Sequence, residues 1–226
     1  GPDGWRIGAA ATWGQIAAAA LPPAFDALRQ AAREVGAVQI QNAGTIAGNI
    51  CNASPAADGV PPLLVLEAEV ELASATGRRR LALADFITGV RRTARAPDEL
   101  VVALHLPQPP AGAGGAFVKL GTRSSLVISI AMVAAVVRVA QGRITEARLA
   151  VGACSPVARR LPDWEAALVG RRLDQPEALR PDPAHLAGLA PIDDVRATAA
   201  YRLDAVRELC RRAVMQAALS ARETAD

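Results

Sequence analysis

Apolar residues that recur every three to four positions mark the helices of this chain. In the segment 22–36, two prolines open the repeat and Gly36 closes it, as expected for the start and the end of a helix. In the segment 198–222 the repeat forms one apolar stripe, and Arg202, Arg207 and Arg211 lie off that stripe. The helices predicted in this way cover 22–36, 61–68, 162–170 and 198–222.

Alternating or continuous apolar runs rich in β-branched residues mark the strands. The alternation over 69–86, with Thr-Gly at its centre, predicts a hairpin, and the run "LVISIAMVAAVV" at 126–137 is too short to cross a membrane and predicts a buried strand. The other predicted strands cover 4–12, 98–107, 116–122, 128–140 and 144–154. The fold class is therefore α+β, and the second half predicts a three-stranded antiparallel sheet covered by helices.

The stretch "PQPPAGAGGA" at 107–116 has no hydrophobic pattern and is rich in proline and glycine, which favours a loop or linker. It divides the chain into two predicted domains, 1–107 and 114–221. Apolar residues make up 51% of the sequence and aromatic residues only 3%, so we expect folded cores built from aliphatic side chains.

Charge and cysteine content argue against several classes of function. The net charge is only +3, and basic residues are scattered, with "RRR" at 78–80 in the predicted hairpin. This distribution favours solvated faces over a nucleic-acid surface. Cys51, Cys154 and Cys210 are far apart and form no metal-binding spacing, so we expect no metal site, and an odd, sparse count fits a reducing, cytoplasmic compartment.

The segment "NAGTIAGNICNASPAAD" at 42–58 interrupts the apolar pattern with small residues, amides and hydroxyls, a composition that holds a helix poorly. Glycine permits close backbone approach to a ligand, and consecutive free amides form a concavity that binds anions. With Ile46 and Ile50 facing inward and Asp58 accepting hydroxyl groups, the segment suits an extended phosphorylated ligand. A wide surface turn has the same composition, so both interpretations stay open.

Four motifs in order resemble the FAD-binding medium subunits of the molybdenum hydroxylase family, whose members include xanthine dehydrogenase and aerobic carbon monoxide dehydrogenase. Residues 39–58 are similar to the family's TIGGN-type turn, which precedes Asn-Ala-Ser-Pro and an Asp. Residues 117–135 resemble its K-x-G-x-R stretch and the strand after it, and 151–168 and 191–214 resemble its C-terminal domain, including D-D-x-R and Tyr-Arg before the last helix.

The resemblance implies a fold, a cofactor and partners. It identifies 1–107 as the second half of a PCMH-type FAD-binding domain, incomplete at its N-terminal side, and 114–221 as the flavoprotein C-terminal domain. FAD would lie extended against glycine-rich turns. The 2Fe-2S clusters would sit in a small partner subunit and the molybdenum cofactor in a large one, as a heterotrimer. The flavin would pass electrons to NAD, dioxygen or another acceptor.

The same resemblance implies cofactor-binding residues and no catalytic acid–base pair. Thr45, Gly48 and Asn49 would hold the pyrophosphate and ribityl region, supported by Ser54, and Asp58 would bind ribityl or ribose hydroxyls. Val102 or Leu104 would touch the flavin ring, and Lys119 would lie near the flavin or adenine edge. Val102 as a core residue and Lys119 as a solvated strand residue are the alternatives. The full set is Gly44, Thr45, Ile46, Gly48, Asn49, Ser54, Asp58, Val102 and Lys119.

The chain also departs from the family pattern. The family's first glycine-rich turn has no counterpart here, Gln41 stands where Arg is common, and Ala47 replaces the second glycine of the turn. Two hypotheses follow: a flavoprotein subunit, or a flavin-free scaffold subunit of the same family. A third, a nucleic-acid-binding module, rests only on arginine content and lacks aromatic platforms.

Overall fold

Each half of the chain builds one four-stranded antiparallel sheet with helices packed on it, and the first half also contains a separate two-stranded sheet. The computed structural model describes residues 1, 3–124 and 126–222, so Ser125 in the predicted 117–135 motif lies outside the described residues. The elements of the first half are β1 (Trp5–Gly8), α1 (Trp13–Ala18), α2 (Asp26–Glu34), α3 (Val38–Ala43), α4 (Ile46–Asn52), α5 (Val60–Val65), β2 (Glu69–Ser74), β3 (Gly77–Ala82), α6 (Leu83–Phe86), β4 (Ile87–Gly89), β5 (Arg92–Thr93) and β6 (Leu100–Leu106). Those of the second half are β7 (Gly114–Leu120), β8 (Ala131–Ala140), β9 (Arg143–Gly152), β10 (Arg159–Arg160), α7 (Pro162–Leu168) and α8 (Ala199–Arg222).

The first sheet has the strand order β1-β6-β2-β3, and all its neighbouring strands are antiparallel. The central pair β2–β6 contains a bulge, because Glu71 lies opposite Ala103 and Leu72 lies opposite Val101. Val102 is therefore the extra residue on β6, and its carbonyl accepts a hydrogen bond from the amide of Ala9.

The second sheet has the order β10-β9-β8-β7, in which β7, β8 and β9 are the three predicted strands and the two-residue β10 is added at one edge. Both faces of β8 are buried. Met132, Ala134 and Val136 pack into the core of the first half, whereas the alternate residues 133, 135 and 137 pack against α8. Burial of both faces explains why this segment is continuously apolar.

Two glycines of the predicted linker are required by packing. A Cβ atom on Gly114 would lie 2.2 Å from the carbonyl oxygen of Ala217 on α8, and one on Gly115 would lie 2.4 Å from the carbonyl oxygen of Ala24. At these two positions, strand β7 lies so close to the backbone of α8 and of Ala24 that only glycine fits.

Two of the predicted strands are shortened by three residues or more at one end. The strand predicted over 4–12 ends at Gly8, because Thr12 caps α1 through a capping box with Gln15 that the sequence interpretation missed. The strand predicted over 128–140 begins only at Ala131, and Ile128 is exposed. Helices α1, α3 and α4 were not predicted.

Helix α8 confirms the predicted apolar stripe, whose members Val206, Leu209, Ala213 and Ala217 are all buried. The placement of Arg202 outside the core was wrong, because its side chain is fully buried. Its guanidinium donates to the carbonyl oxygens of Ile130 and Ala153 and to the carboxylate of Asp194. A buried arginine is tolerated here because these groups pair with its charge and with both of its terminal nitrogens, while its Nε atom has no hydrogen-bond partner among the described residues.

The arginines of the predicted hairpin are more engaged than a solvated face implies. Arg78 donates to Glu71 at 2.8 Å, and Arg79 binds both carboxylate oxygens of Glu99, at 2.5 and 2.8 Å. None of the helices in the described part of the chain combines the length and the apolar character needed to span a bilayer.

Acid should weaken the first sheet through Glu71. Its hydrogen bond with His105, at 2.7 Å, and that from Arg78 lower the pKa of Glu71 from 4.5 to about 2. A lowered folded-state pKa adds stability above pH 4.5 that is lost as the pH falls toward 2. We expect Glu71→Gln to be less stable than the parent at pH 7 and to lose less stability over that acid range, measured by urea unfolding at several pH values.

The matched control is Glu69→Gln, because Glu69 is exposed on the same strand. It should leave the acid dependence of unfolding as in the parent. An unchanged slope in the Glu71 variant would contradict the assignment.

Candidate functional site

The small-residue segment 42–58 contains the last two residues of α3 and all of α4, where sequence composition predicted no helix. Thr45 caps α4, since its hydroxyl accepts a hydrogen bond from the amide of Gly48 at 3.0 Å. Ile46 and Ile50 lie one turn apart and are both fully buried, which confirms that they face inward. Burial of this apolar pair outweighs the poor helix propensity of the segment.

The expected row of free amides is absent at the start of α4. The amide of Ile46 donates to the carbonyl of Ala11 at 3.0 Å, and that of Ala47 donates to Ala9 at 3.4 Å. The amide of Asn49 donates to Thr45 within the helix at 3.1 Å, and that of Gly48 is used by the cap. The expectation of an anion-binding concavity was therefore wrong for these four amides.

The reason for a small residue differs among Gly44, Ala47 and Gly48. A Cβ on Gly44 would lie 2.9 Å from the carbonyl oxygen of Ile40 and 3.4 Å from the Trp13 ring, so internal packing explains this glycine. Gly48 is exposed, and a Cβ there would meet only the Thr45 hydroxyl, at 3.0 Å. The methyl group of Ala47 is buried in the helical conformation, so it does not obstruct the exposed side of α4.

A cleft of about 530 Å³ opens beside α4, between the end of α2 with α3 and the segment that precedes β8. Three of the predicted cofactor residues line it: Asn49, Ser54 and Asp58. The remaining lining residues are Val35, Gly36, Ala37, Ile40, Asn52, Ala56, Ala57, Leu126, Val127 and Ile128. One wall is thus polar and the other apolar.

Asn49 carries an unused hydrogen-bonding group in this cleft. Its Oδ1 atom is buried and has no hydrogen-bond partner among the described residues. Buried polar atoms of folded proteins are rarely left unpaired. This oxygen lies 2.9 Å from the position that a Cβ atom on Gly59 would take, so Asn49 lines the cleft while its Oδ1 packs beside Gly59.

Asp58 and Lys119 form a buried ion pair between the two halves of the chain. Lys119 Nζ lies 2.7 Å from Asp58 Oδ2, and their side chains are 7% and 11% exposed. The same ammonium donates to the carbonyl of Glu34 at 3.3 Å, and the hydroxyl of Ser129 donates to Asp58 Oδ1 at 2.7 Å. Lys119 is not a solvated strand residue, so that alternative was wrong.

The charge on Asp58 depends on these neighbours. Burial raises the pKa of Asp58 above its usual value, and the Lys119 ammonium, its hydrogen bond and that of Ser129 oppose the rise. A carboxylate can accept more than two hydrogen bonds, so Asp58 keeps acceptor capacity toward the cleft.

Other predicted residues do not reach the cleft. Thr45 uses its hydroxyl as a helix cap, and the side chain of Ile46 is in the core. Val102 is the partly buried bulge residue of β6 and is not among the residues that line the cleft, while Leu104 is fully buried. For Gly44, Thr45, Ile46, Gly48 and Val102, cofactor contact stays a prediction.

Sequence reasoning missed Ser129 and the apolar wall. Ser129 is 1% exposed and stands alone between Ile128 and Ile130, and a single polar residue within an apolar run is the signal that could have indicated it. The wall residues come from α3 and from a loop interpreted as strand, so the wrong secondary structure hid them.

The cleft suits a ligand with hydroxyl groups on one side and a flat apolar surface on the other. Asn49 and Asp58 offer acceptors, and Ile40, Leu126 and Ile128 offer apolar contact. A flavin with its ribityl chain has both properties. Within the described ranges, no three His, Cys, Asp or Glu side chains come together in a way that could hold a metal ion.

Two family models match consecutive parts of the sequence. Residues 2–109 match the FAD binding domain in molybdopterin dehydrogenase, and residues 116–217 match the CO dehydrogenase flavoprotein C-terminal domain.

Individual relatives agree with these models. The chain is 31% identical over 218 residues to a putative xanthine dehydrogenase FAD-binding subunit of Escherichia coli, covering 96% of this chain and 75% of that protein. It is 34% identical over 188 residues to the nicotine 6-hydroxylase medium subunit of Paenarthrobacter nicotinovorans, covering 83% of this chain and 65% of that protein. A chain of reconstituted CO dehydrogenase from Oligotropha carboxidovorans superposes with a TM-score of 0.87 at 31% identity, over 96% of this chain and 76% of that chain. The chain therefore belongs to the family of FAD-binding medium subunits of molybdenum hydroxylases.

Proposed function

We propose that this chain binds FAD in the cleft beside α4 and transfers electrons through it, within a complex that also contains an iron–sulfur small subunit and a large subunit with the molybdenum cofactor. The observation that supports this placement is the set of polar side chains, Asn49, Ser54 and Asp58, that line one cleft beside α4. The match to an FAD binding domain and the FAD-binding subunits among the relatives support FAD as the cofactor.

The residues of the cleft have distinct roles in this proposal. Asn49 and Asp58 accept hydrogen bonds from ribityl hydroxyls, and Ser54 holds the loop between them, since its hydroxyl accepts from the amide of Ala56 at 3.3 Å. Gly48 leaves the exposed side of α4 open for the pyrophosphate region. Lys119 keeps Asp58 charged and places a cation near the ring, where positive charge favours electron uptake by the flavin.

The chemistry comes from the cofactor. When bound, FAD would supply electron transfer between the partner's clusters and NAD, dioxygen or another acceptor, and the residues of this chain would bind and orient it. A flavin-free scaffold is the weaker alternative, because the match to an FAD binding domain extends over residues 2–109.

The organisation of the chain is also part of the proposal. We place the domain boundary between the units 1–107 and 114–221, in agreement with the separate sheets. We propose a cytoplasmic location, in keeping with three cysteines that are all free thiols.

Replacing Asn49 should weaken FAD binding without destabilising the fold. Because Asn49 Oδ1 has no hydrogen-bond partner within the described ranges, Asn49→Ala removes a buried unpaired group and favours the helix. We expect the free energy of unfolding to stay the same or rise, while FAD affinity, measured by quenching of flavin fluorescence, falls about tenfold because one hydrogen bond is lost.

The matched control is Asn42→Ala on the exposed end of α3, which should change neither quantity. Parent protein that shows no saturable binding of FAD would contradict the proposed function itself. Equal FAD affinity in parent and Asn49→Ala would remove Asn49 from the site.

A bulky residue at Gly48 tests the open side of α4. Gly48→Val places a branched side chain where only the Thr45 hydroxyl lies close, so we expect a change in unfolding free energy within about 1 kcal/mol. FAD affinity should fall at least about tenfold, since the side chain occupies the space assigned to the pyrophosphate region.

Gly188→Val is its control, because Gly188 is exposed and no atom lies within 4 Å of a Cβ there. If both glycine variants bound FAD equally well, the cofactor would not lie against α4.

A further inference from the structure

We propose that Ser129 is a positioning residue for the flavin site, and that the ion cluster of Asp194, Arg196 and Arg202 fixes Ser129 so that its hydroxyl orients the Asp58 carboxylate toward the cleft. This inference rests on the proposed function. It also gives a role to the D-D-x-R and Tyr-Arg motifs of the second half, which the cofactor site does not otherwise use.

Ser129 binds the carboxylate oxygen of Asp58 that Lys119 does not bind. The hydroxyl of Ser129 donates to Oδ1 and the ammonium of Lys119 to Oδ2, both at 2.7 Å. With one donor on each oxygen, the plane of the carboxylate is determined. With Lys119 as its only donor, the Asp58 carboxylate group could rotate about its bond to Cβ.

Ser129 lies just before β8, outside the hydrogen-bonded ladder of the sheet. The peptide unit that follows it is held by the amide of Ile130, which donates to the carbonyl of Leu120 on β7 at 2.7 Å, and by side chains that bind the neighbouring carbonyls. The carbonyl oxygen of Ser129 accepts from Arg196 Nη1 at 2.8 Å, and the next carbonyl, that of Ile130, accepts from Arg202. Two guanidinium groups thus hold two consecutive peptide units.

Asp194 joins the two arginines into one cluster. Its carboxylate accepts from Arg196 at 2.6 and 3.1 Å and from Arg202 at 2.7 Å. These hydrogen bonds lower the pKa of Asp194 well below its usual range, the side chain of Arg196 being the largest cause. Asp194 is therefore ionised at neutral pH and bridges the two guanidinium groups.

The cluster also reaches the flavin segment by a second route. Arg202 Nη1 binds the carbonyl of Ala153 at 3.2 Å, and the amide of Ala153 donates to the carbonyl of Pro55 at 2.9 Å. Pro55 lies three residues before Asp58. The cluster thus connects to the loop between α4 and α5 at two residues: at Pro55 through Ala153, and at Asp58 through Ser129.

Among the described residues, the charged group that contacts Asp58 is Lys119 on β7, and any pH dependence includes it. Arg33 and Glu34 on α2 and Arg123 in the loop after β7 line a separate cavity beside Lys119, and Asp194 and Arg196 lie behind Ser129. Among the groups hydrogen-bonded to the Asp58 carboxylate itself, Ser129 is the neutral donor, so its removal leaves the net charge unchanged.

The test replaces Ser129 with Ala and measures FAD affinity between pH 5 and 9 on the full chain. Loss of the donor raises the pKa of Asp58 further, so the acid-side fall in affinity should move to higher pH. At pH 7 the FAD dissociation constant should rise about tenfold. A residue with only a structural role would not move the midpoint of the pH profile.

Ser220→Ala is the matched control, because Ser220 also donates to an aspartate of the other half, Asp26, at 2.6 Å, but away from the cleft. It should leave both the affinity and the pH midpoint unchanged. Arg196→Gln should shift the midpoint in the same direction as Ser129→Ala, and Arg196→Lys should restore part of the shift, whereas Arg172→Gln on an exposed ion pair should not shift it.

A direct titration of Asp58 by carbon-13 NMR supplies a readout that needs no flavin. A higher Asp58 pKa in Ser129→Ala together with weaker FAD binding supports the inference. An unchanged pH midpoint in Ser129→Ala, with Asn49→Ala still weakening FAD binding, would overturn the positioning role and leave the proposed function intact. Parent protein that binds no FAD at any pH would overturn both.

Discussion

The ion pair between Asp58 and Lys119 is the constraint on which the site depends. Both side chains are almost completely buried, so the cost of removing two charges from water offsets most of their attraction. Such a pair adds little net stability. Replacing only one of the two residues would nevertheless be destabilising, because the other would remain as an unpaired buried charge. Its main effect is geometric: the loop that ends at Asp58 has one allowed position relative to β7.

The second sheet makes this geometry rigid. Because Met132, Ala134 and Val136 pack into the core of the first half while the alternate residues of β8 pack on α8, the two halves share one central layer. The cleft lies at the edge of that layer, between α4 and the residues before β8. Close-packed cores deform little, so the polar and apolar walls of the cleft keep their separation. A cofactor that does its chemistry by electron transfer needs such fixed placement more than it needs acid–base groups from the protein.

Elements could be predicted from the sequence where the local pattern of apolar residues matched the faces that are buried in the structure. The continuous apolar run of β8 and the stripe of α8 were predictable because their periods reflect which faces are covered. Arg202 was not, since a charged residue off a stripe normally faces water, and only Asp194 and two distant carbonyls make its burial possible. Asp58 was predictable through the family motif, whereas its partner Ser129 is 71 residues away in the chain and no local pattern joins them.

The small-residue segment attracted attention for a reason that was only partly correct. Its composition suggested free amides for an anion, but those of Ile46 and Ala47 bind the chain's own carbonyls, and Gly44 is needed because a Cβ there would lie 2.9 Å from the carbonyl oxygen of Ile40. Gly59, directly after the segment, is needed because a Cβ there would lie 2.3 Å from the ring of Trp13. Among the polar side chains of the segment, Asn49 lines the cleft and has a buried Oδ1 atom with no hydrogen-bond partner in the described part of the chain. A buried polar atom without a partner costs free energy unless something else binds it, so the ligand signal of this segment lies in that side chain rather than in its backbone.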